Sequence, residues 1–155
     1  MRALVQRVDW AEVLVGGQIA GQIDRGLLVY VGVAAGDTEA DAARLAEKVA
    51  QLRVFEDDGG KMNLSCRDVR GGVLAVSNFT LLADTRKGRR PAFTAAAPPE
   101  LAQRLYEAFL AALAGQSVQV ERGVFRASMI VRSAAAGPVN VIVETGAGSG
   151  PAEAP

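Results

Sequence analysis

A chain of 155 residues with 17 basic and 17 acidic side chains carries no net charge, which excludes attraction to polyanions by bulk charge alone. Half of its residues are hydrophobic, enough for one domain that buries roughly two-thirds of its unfolded surface, yet no apolar run approaches the roughly 18 residues of a membrane span. Histidine is absent and cysteine occurs once, which rules out a Ser-His-Asp triad, a Cys-His dyad, a His-based metal site and an internal disulfide.

In chain order, residues 1–8 and 11–15 read as strands, and Gly16-Gly17 offers the turn that follows. The opening residues have no secretory h-region, so a cytoplasmic setting is expected. Residues 18–23 mix polar and apolar side chains, and residues 26–33 form a hydrophobic run typical of a buried strand. Next comes the clearest helix: Asp37 or Thr38 can cap it, and Ala42, Leu45, Ala46, Val49 and Leu52 recur at helical spacing. Glu39, Arg44, Glu47 and Lys48 then face water. Asp57-Asp58-Gly59-Gly60 is a turn signal.

Gly71-Gly72 precedes residues 73–82, read as a central strand that delivers Ser77 to Thr80 to its end. The following loop, 83–97, is long for a compact domain, and loops of that length are usually functional or disordered. Pro98-Pro99 opens a second helix with Leu101, Leu105, Ala108, Phe109 and Ala112 on its buried side. Three more strands are expected at 117–121, 127–133 and 139–144. The glycine-rich end lacks large apolar anchors, so the domain is expected over 1–144 with a disordered tail at 145–155.

Chemistry is limited by what is missing. Without histidine, any hydrolysis must use hydroxyls, backbone amides, the substrate itself, or Lys and Arg. Cys66 has no histidine to activate it and reads as a bystander. Glu47, Asp57 and Asp58 form no convincing metal cluster. Arg86-Lys87-Gly88-Arg89-Arg90 concentrates four cations within five residues; taken alone, such a loop is either solvated or a phosphate contact.

Two motifs carry more weight. Ser77-Asn78-Phe79-Thr80-Leu81 ends an apolar run with two hydroxyls and an amide, and Gly137-Pro138 is a restricted bend between strand-like segments. Together they closely resemble the paired signatures of the D-aminoacyl-tRNA deacylases, usually Ser-Gln-Phe-Thr-Leu and a Gly-cis-Pro pair. Agreement continues in order through Gln6-Arg7-Val8, Gly26-Leu27-Leu28-Val29, Lys61-Met62-Asn63, Ala83-Asp84-Thr85, Gly88, Arg90-Pro91 and Phe93. It extends to Gly123, Phe125, Ala127 and Met129. Three departures stand out: Asn78 for the usual Gln, Ala134-Ala135-Ala136 where relatives more often carry Asn or Asp, and Asn140 where Thr commonly follows Gly-Pro-Val.

The resemblance implies an α/β fold, a single domain of layered mixed β-sheets with helices packed on one side (β/β/α). It implies metal-independent, cofactor-free hydrolysis of the ester joining a D-amino acid to the 3′ end of tRNA. It also implies a homodimer with active sites at the subunit interface. Ser77, Asn78, Phe79 and Thr80 become the catalytic set, with backbone N–H groups around Phe79 and Thr80 as donors to the tetrahedral oxyanion. Thr80 is either a nucleophile or a positioning group while the ribose 2′-hydroxyl assists proton movement. Phe79 either stacks on the terminal adenine or packs in the core.

Phe79, Arg86, Lys87, Arg89 and Arg90 are the implied tRNA contacts. Gly137 and Pro138 become the chirality selector, entering the neighbouring subunit's site to block an L side chain. A penalty of about 4 kcal/mol corresponds to about a thousandfold preference. Achiral glycine passes such a gate, including glycine mischarged on tRNA-Ala. Arg7 either orients this motif or is simply a paired surface cation. Two alternatives remain: a tRNA-end binding module that has lost catalysis, and a related deacylase of altered handedness with Gly137-Pro138 trans.

Overall fold

The computed structural model describes residues 1–86 and 88–146. Its elements are β1 (Arg2–Val15), β2 (Gln18–Ile23), β3 (Gly26–Gly32), α1 (Glu39–Gln51), β4 (Phe55–Glu56), β5 (Met62–Leu64) and β6 (Gly72–Ser77). A 3-10 helix (Phe79–Leu82), α2 (Pro99–Ala114), β7 (Gln119–Arg122) and β8 (Ile130–Glu144) follow. The main sheet runs β2-β1-β3-β6-β7, with β8 on the other edge of β1, while β4 and β5 form a separate hairpin. Among the described residues, only β3 with β6 and β6 with β7 pair parallel.

The layers follow from which face each side chain takes. Leu27, Val29 and Val31 of β3, with Val73 and Ala75 of β6, meet Leu45 and Val49 of α1 and Leu105 and Phe109 of α2. On the opposite face, Leu28, Leu74 and Val76 meet Val8, Ala11 and Val13 of β1 and Ile23 of β2. Central strands buried on both sides read as unbroken hydrophobic runs for this reason. The far halves of β1 and β8 thus make a β layer over the β3–β6 sheet, and the helices cover its other side. This is the expected β/β/α arrangement.

β1 continues through the gap expected at residues 9 and 10, and β8 replaces two expected strands. In both cases the interruption is a slip in register. Gln6 pairs with Asn140, Val8 with Ala135 and Trp10 with Ala134, so irregularities flank Val8. Such irregularities bend a strand, and here they coincide with the passage of β1 from one layer to the other. Residues 127–129 precede β8 and are not strand.

At α1, Thr38 is the cap: its hydroxyl accepts from Asp41 N–H at 3.3 Å, and Asp41 Oδ2 accepts from Thr38 N–H at 2.9 Å. α2 buries Leu105, Tyr106, Phe109, Leu110 and Leu113, whereas Leu101, Ala108 and Ala112 are half-buried against the same core. The domain reaches past Glu144. Thr145 is buried, and its N–H donates to Met1 O at 2.9 Å and its hydroxyl to Asp41 O at 3.0 Å. The remainder of the expected tail, 147–155, lies outside the described residues.

Candidate active site

β6 was expected to run to residue 82, but it ends at Ser77. Asn78 is the reason. Its N–H completes the parallel ladder by donating to Val31 O at 2.8 Å. Its side-chain oxygen then accepts from Thr80 N–H at 3.0 Å and from the Thr80 hydroxyl, capping the 3-10 helix. Asn is a favoured N-cap because its short side chain reaches amides left without partners at a helix start. Gly32 lets this turn press against the end of β3: a Cβ there would lie 3.1 Å from Asn78 O and 3.2 Å from Leu81 Cβ. Arg2 Nη1 donates to Leu81 O at 2.9 Å and ties the turn to β1.

Ser77, Asn78 and Phe79 form one wall of a cleft of about 460 Å³. Pro99 and Ala102 of α2 and Phe125, Arg126, Ala127 and Met129 form the others, over a floor of Val31 and Val33. Thr80 is exposed and does not line the cleft. Phe79 is 56% exposed and meets Phe93 edge-on with ring centroids 5.0 Å apart, so it is not a core side chain. The Thr80 N–H, expected as an oxyanion donor, is committed to Asn78. The Phe79 N–H has no protein acceptor among the described residues. Among the described residues, Arg126 is the one ionisable side chain lining the cleft.

Gly137 and Pro138 sit elsewhere. Their bond is cis and Gly137 has φ +117°, so the trans bond required by the altered-handedness alternative is not what the chain adopts. Arg7 Nε donates to Ala136 O at 3.2 Å and Nη1 to Val54 O at 2.7 Å, with Glu56 Oε1 3.8 Å from Nη2. Arg7 is therefore a bound side chain beside this motif. It lies opposite Leu27 of β3 whereas Ser77 lies opposite Val31. Four residues of strand span about 13 Å. One chain does not bring the two motifs together.

The family model described as D-Tyr-tRNA(Tyr) deacylase matches residues 4–144. The chain belongs to this family. A D-aminoacyl-tRNA deacylase of Thermus aquaticus is 57% identical over 145 residues, covering 94% of this chain and 95% of the relative. One of Geobacter metallireducens is 52% identical, covering 94% and 96%. A solved structure called c-Myc DNA Unwinding Element Binding Protein superposes with a TM-score of 0.90 at 38% identity, covering 95% of this chain and all of that one. A probable eukaryotic D-amino acid tRNA deacylase reaches a TM-score of 0.80 at 17% identity, covering 93% and 98%, and shows the shared fold.

In this D-Tyr-tRNA(Tyr) deacylase family member the loop after the 3-10 helix is bridged by its own backbone at Asp84 and Ala92. Asp84 and Ala92 exchange backbone bonds of 2.8 and 2.9 Å. Arg86 forks onto Asp84, Nε to Oδ1 at 2.9 Å and Nη2 to Oδ2 at 2.7 Å, which holds the Asp84 carboxyl well below the usual carboxylate range. Arg86 is thus engaged within the loop. Arg89 and Arg90 are exposed and have no ion pair among the described residues, and Lys87 lies outside them. Cys66 is buried, and burial pushes its thiol up to about 12, which makes it a poor nucleophile. Phe125, Arg126 and Met129 were not foreseen as cleft residues. The matches at 123, 125, 127 and 129 marked the segment, but nothing in the sequence singled out Arg126.

Proposed function

We propose that this chain hydrolyses the ester of D-aminoacyl-tRNA as a homodimer, with Gly137 and Pro138 of one subunit completing the cleft of the other. The observation that carries this reading is the composition of the cleft. It offers a hydroxyl (Ser77), an amide N–H without a protein acceptor (Phe79) and an exposed aromatic ring, and among the described residues no carboxylate or lysine lines it. An activated ester needs little more than stabilisation of its oxyanion, and a single preorganised donor is worth about 10²–10³ in rate. The Phe79 N–H is that donor, and the Phe79 ring is placed to stack on the terminal adenine, a contact worth about 1–3 kcal/mol.

Thr80 is a positioning residue in this scheme. Its hydroxyl donates to the Asn78 amide oxygen, and an amide oxygen is too weak a base to generate an alkoxide. Water attacks, and the proton passes through the ribose 2′-hydroxyl of the substrate. Asn78 shapes the turn where the family's usual Gln would stand. The Gly137-Pro138 carbonyls exclude L side chains, and glycyl-tRNA, including glycine on tRNA-Ala, is admitted. Arg89 and Arg90 meet tRNA phosphates, joined by Lys87 in the same basic run.

Deacylation of D-tyrosyl-, L-tyrosyl- and glycyl-tRNA in parallel tests the reading. The D ester should be cleaved about a thousandfold faster than the L ester. Equal cleavage of the two hands refutes the selector, and binding without turnover favours the tRNA-end binding module. Thr80→Ala with near-normal kcat removes the covalent route.

A further inference from the structure

We propose that Arg126 is a phosphate-binding residue of the cleft, gripping the phosphodiester that precedes the terminal nucleoside of the RNA 3′ end. The assignment rests on the deacylase reading and deepens it. Residues 124–127 form a turn closed by Ala127 N–H to Val124 O at 3.2 Å, with Arg126 as its third residue at φ +61°. A turn with positive φ at this position ordinarily takes Gly or Asn, because other side chains crowd the backbone there. Here the position holds the longest cationic side chain available. The other non-glycine residues of positive φ, Arg70 and Ser117, do not line the cleft.

Charge and support point the same way. Arg2, Arg7, Arg44, Arg86, Arg122 and Arg132 each have a carboxylate partner, and of the described arginines without one, Arg126 alone lines the cleft. Arg126 is exposed, faces the cleft and has no ion pair among the described residues. Its backbone is firmly seated: Gly123 N–H donates to Ala75 O at 2.9 Å, and a Cβ on Gly123 would lie 2.7 Å from Met129 Sδ. The guanidinium therefore starts from a fixed point across the cleft from residues 77–79. The substrate decides what it meets. Esterification has removed the carboxylate of the amino acid, and its α-ammonium is positive. The anions at an aminoacyl-RNA end are phosphodiesters, which guanidinium binds bidentately.

The test uses the full-length protein with Arg126→Gly, which relieves the turn and keeps the fold, and Arg126→Lys, which keeps the charge. Affinity for uncharged tRNA is measured over a salt series, with KM and kcat for D-tyrosyl-tRNA. Arg126→Gly should weaken binding about tenfold near 0.1 M salt and lower the slope of log K against log salt by about 0.7, one single-strand phosphate. The loss should fall on KM, the melting temperature should hold or rise, and Arg126→Lys should keep the slope. Unchanged affinity, or weaker binding with an unchanged slope, overturns the assignment. Wild-type protein that binds tRNA without deacylating it defeats the deacylase reading alone, since the slope still decides the role of Arg126.

Discussion

Asn78→Ala separates activity from stability. The substitution removes the acceptor of two Thr80 hydrogen bonds, one from N–H and one from the hydroxyl. Replacing an N-cap Asn by Ala costs about 0.5–2 kcal/mol. The cost is local here, because the 3-10 helix contains no buried residue and can open without exposing either core cluster. Global melting should therefore move by less than about 2 °C, while amide exchange at Thr80 accelerates. If the cap holds the Phe79 N–H in place, kcat/KM for D-tyrosyl-tRNA should fall about 5–30-fold, the equivalent of 1–2 kcal/mol.

Asn78→Asp is the companion. A carboxylate accepts the same two bonds, so exchange at Thr80 stays slow, but its charge faces incoming phosphates and KM rises most at low salt. Undiminished kcat/KM in Asn78→Ala with unchanged Thr80 exchange would show that the cap is idle. A melting loss above about 6 °C would place the turn inside the cooperative core and refute the locality.

Tyr106→Phe removes the buried bond from Tyr106 Oη to Ala75 O (2.9 Å), but that carbonyl keeps its bond from Gly123. Calorimetry should find a loss of about 1 kcal/mol, and a loss above about 3 kcal/mol would show that Gly123 gives no compensation. Gly137→Ala forces an L side chain to φ +117° and sets its Cβ 2.9 Å from Arg7 Nη2 and from Val139 Cγ2; thermal unfolding should show a cost of about 1–3 kcal/mol, and an unchanged melt would contradict the clash. Asp41 is held below the ordinary carboxylate range, first by the Thr38 side-chain hydrogen bond. Its contribution is present above the unfolded value of about 3.9 and is lost as pH falls through the lower folded value. Urea midpoints at pH 6 and pH 3 should converge in Asp41→Asn relative to wild type, and an unaltered acid profile would refute the assignment.

Both helices were legible because their signals are short in range. Thr38 and Asp41 sit three residues apart at the start of α1, and Ala42, Leu45, Ala46 and Val49 repeat at helical spacing and are all buried. The long strands were legible in pieces. Register slips on both sides of Val8 shift the alternation of buried and exposed positions, and from sequence a shifted alternation looks like an ending. The end of β6 was hidden for the opposite reason: Leu81 and Leu82 continue the apolar run past Asn78, whose capping bond depends on three-dimensional geometry. Ser77, Asn78 and Phe79 were singled out by the order of motifs, and all three line the cleft. Arg126 was not, since its place on the cleft comes with a backbone angle that its side chain gives no reason to expect.

The Ala75 carbonyl, two residues before Ser77, accepts from both Tyr106 and Gly123. Helix α2 and the Arg126 turn, which stand on different sides of the opening, are thereby measured from one oxygen on the strand that also carries Ser77. The gauge of the mouth is consequently set when the domain folds. Any shift of that oxygen would displace both sides of the opening together.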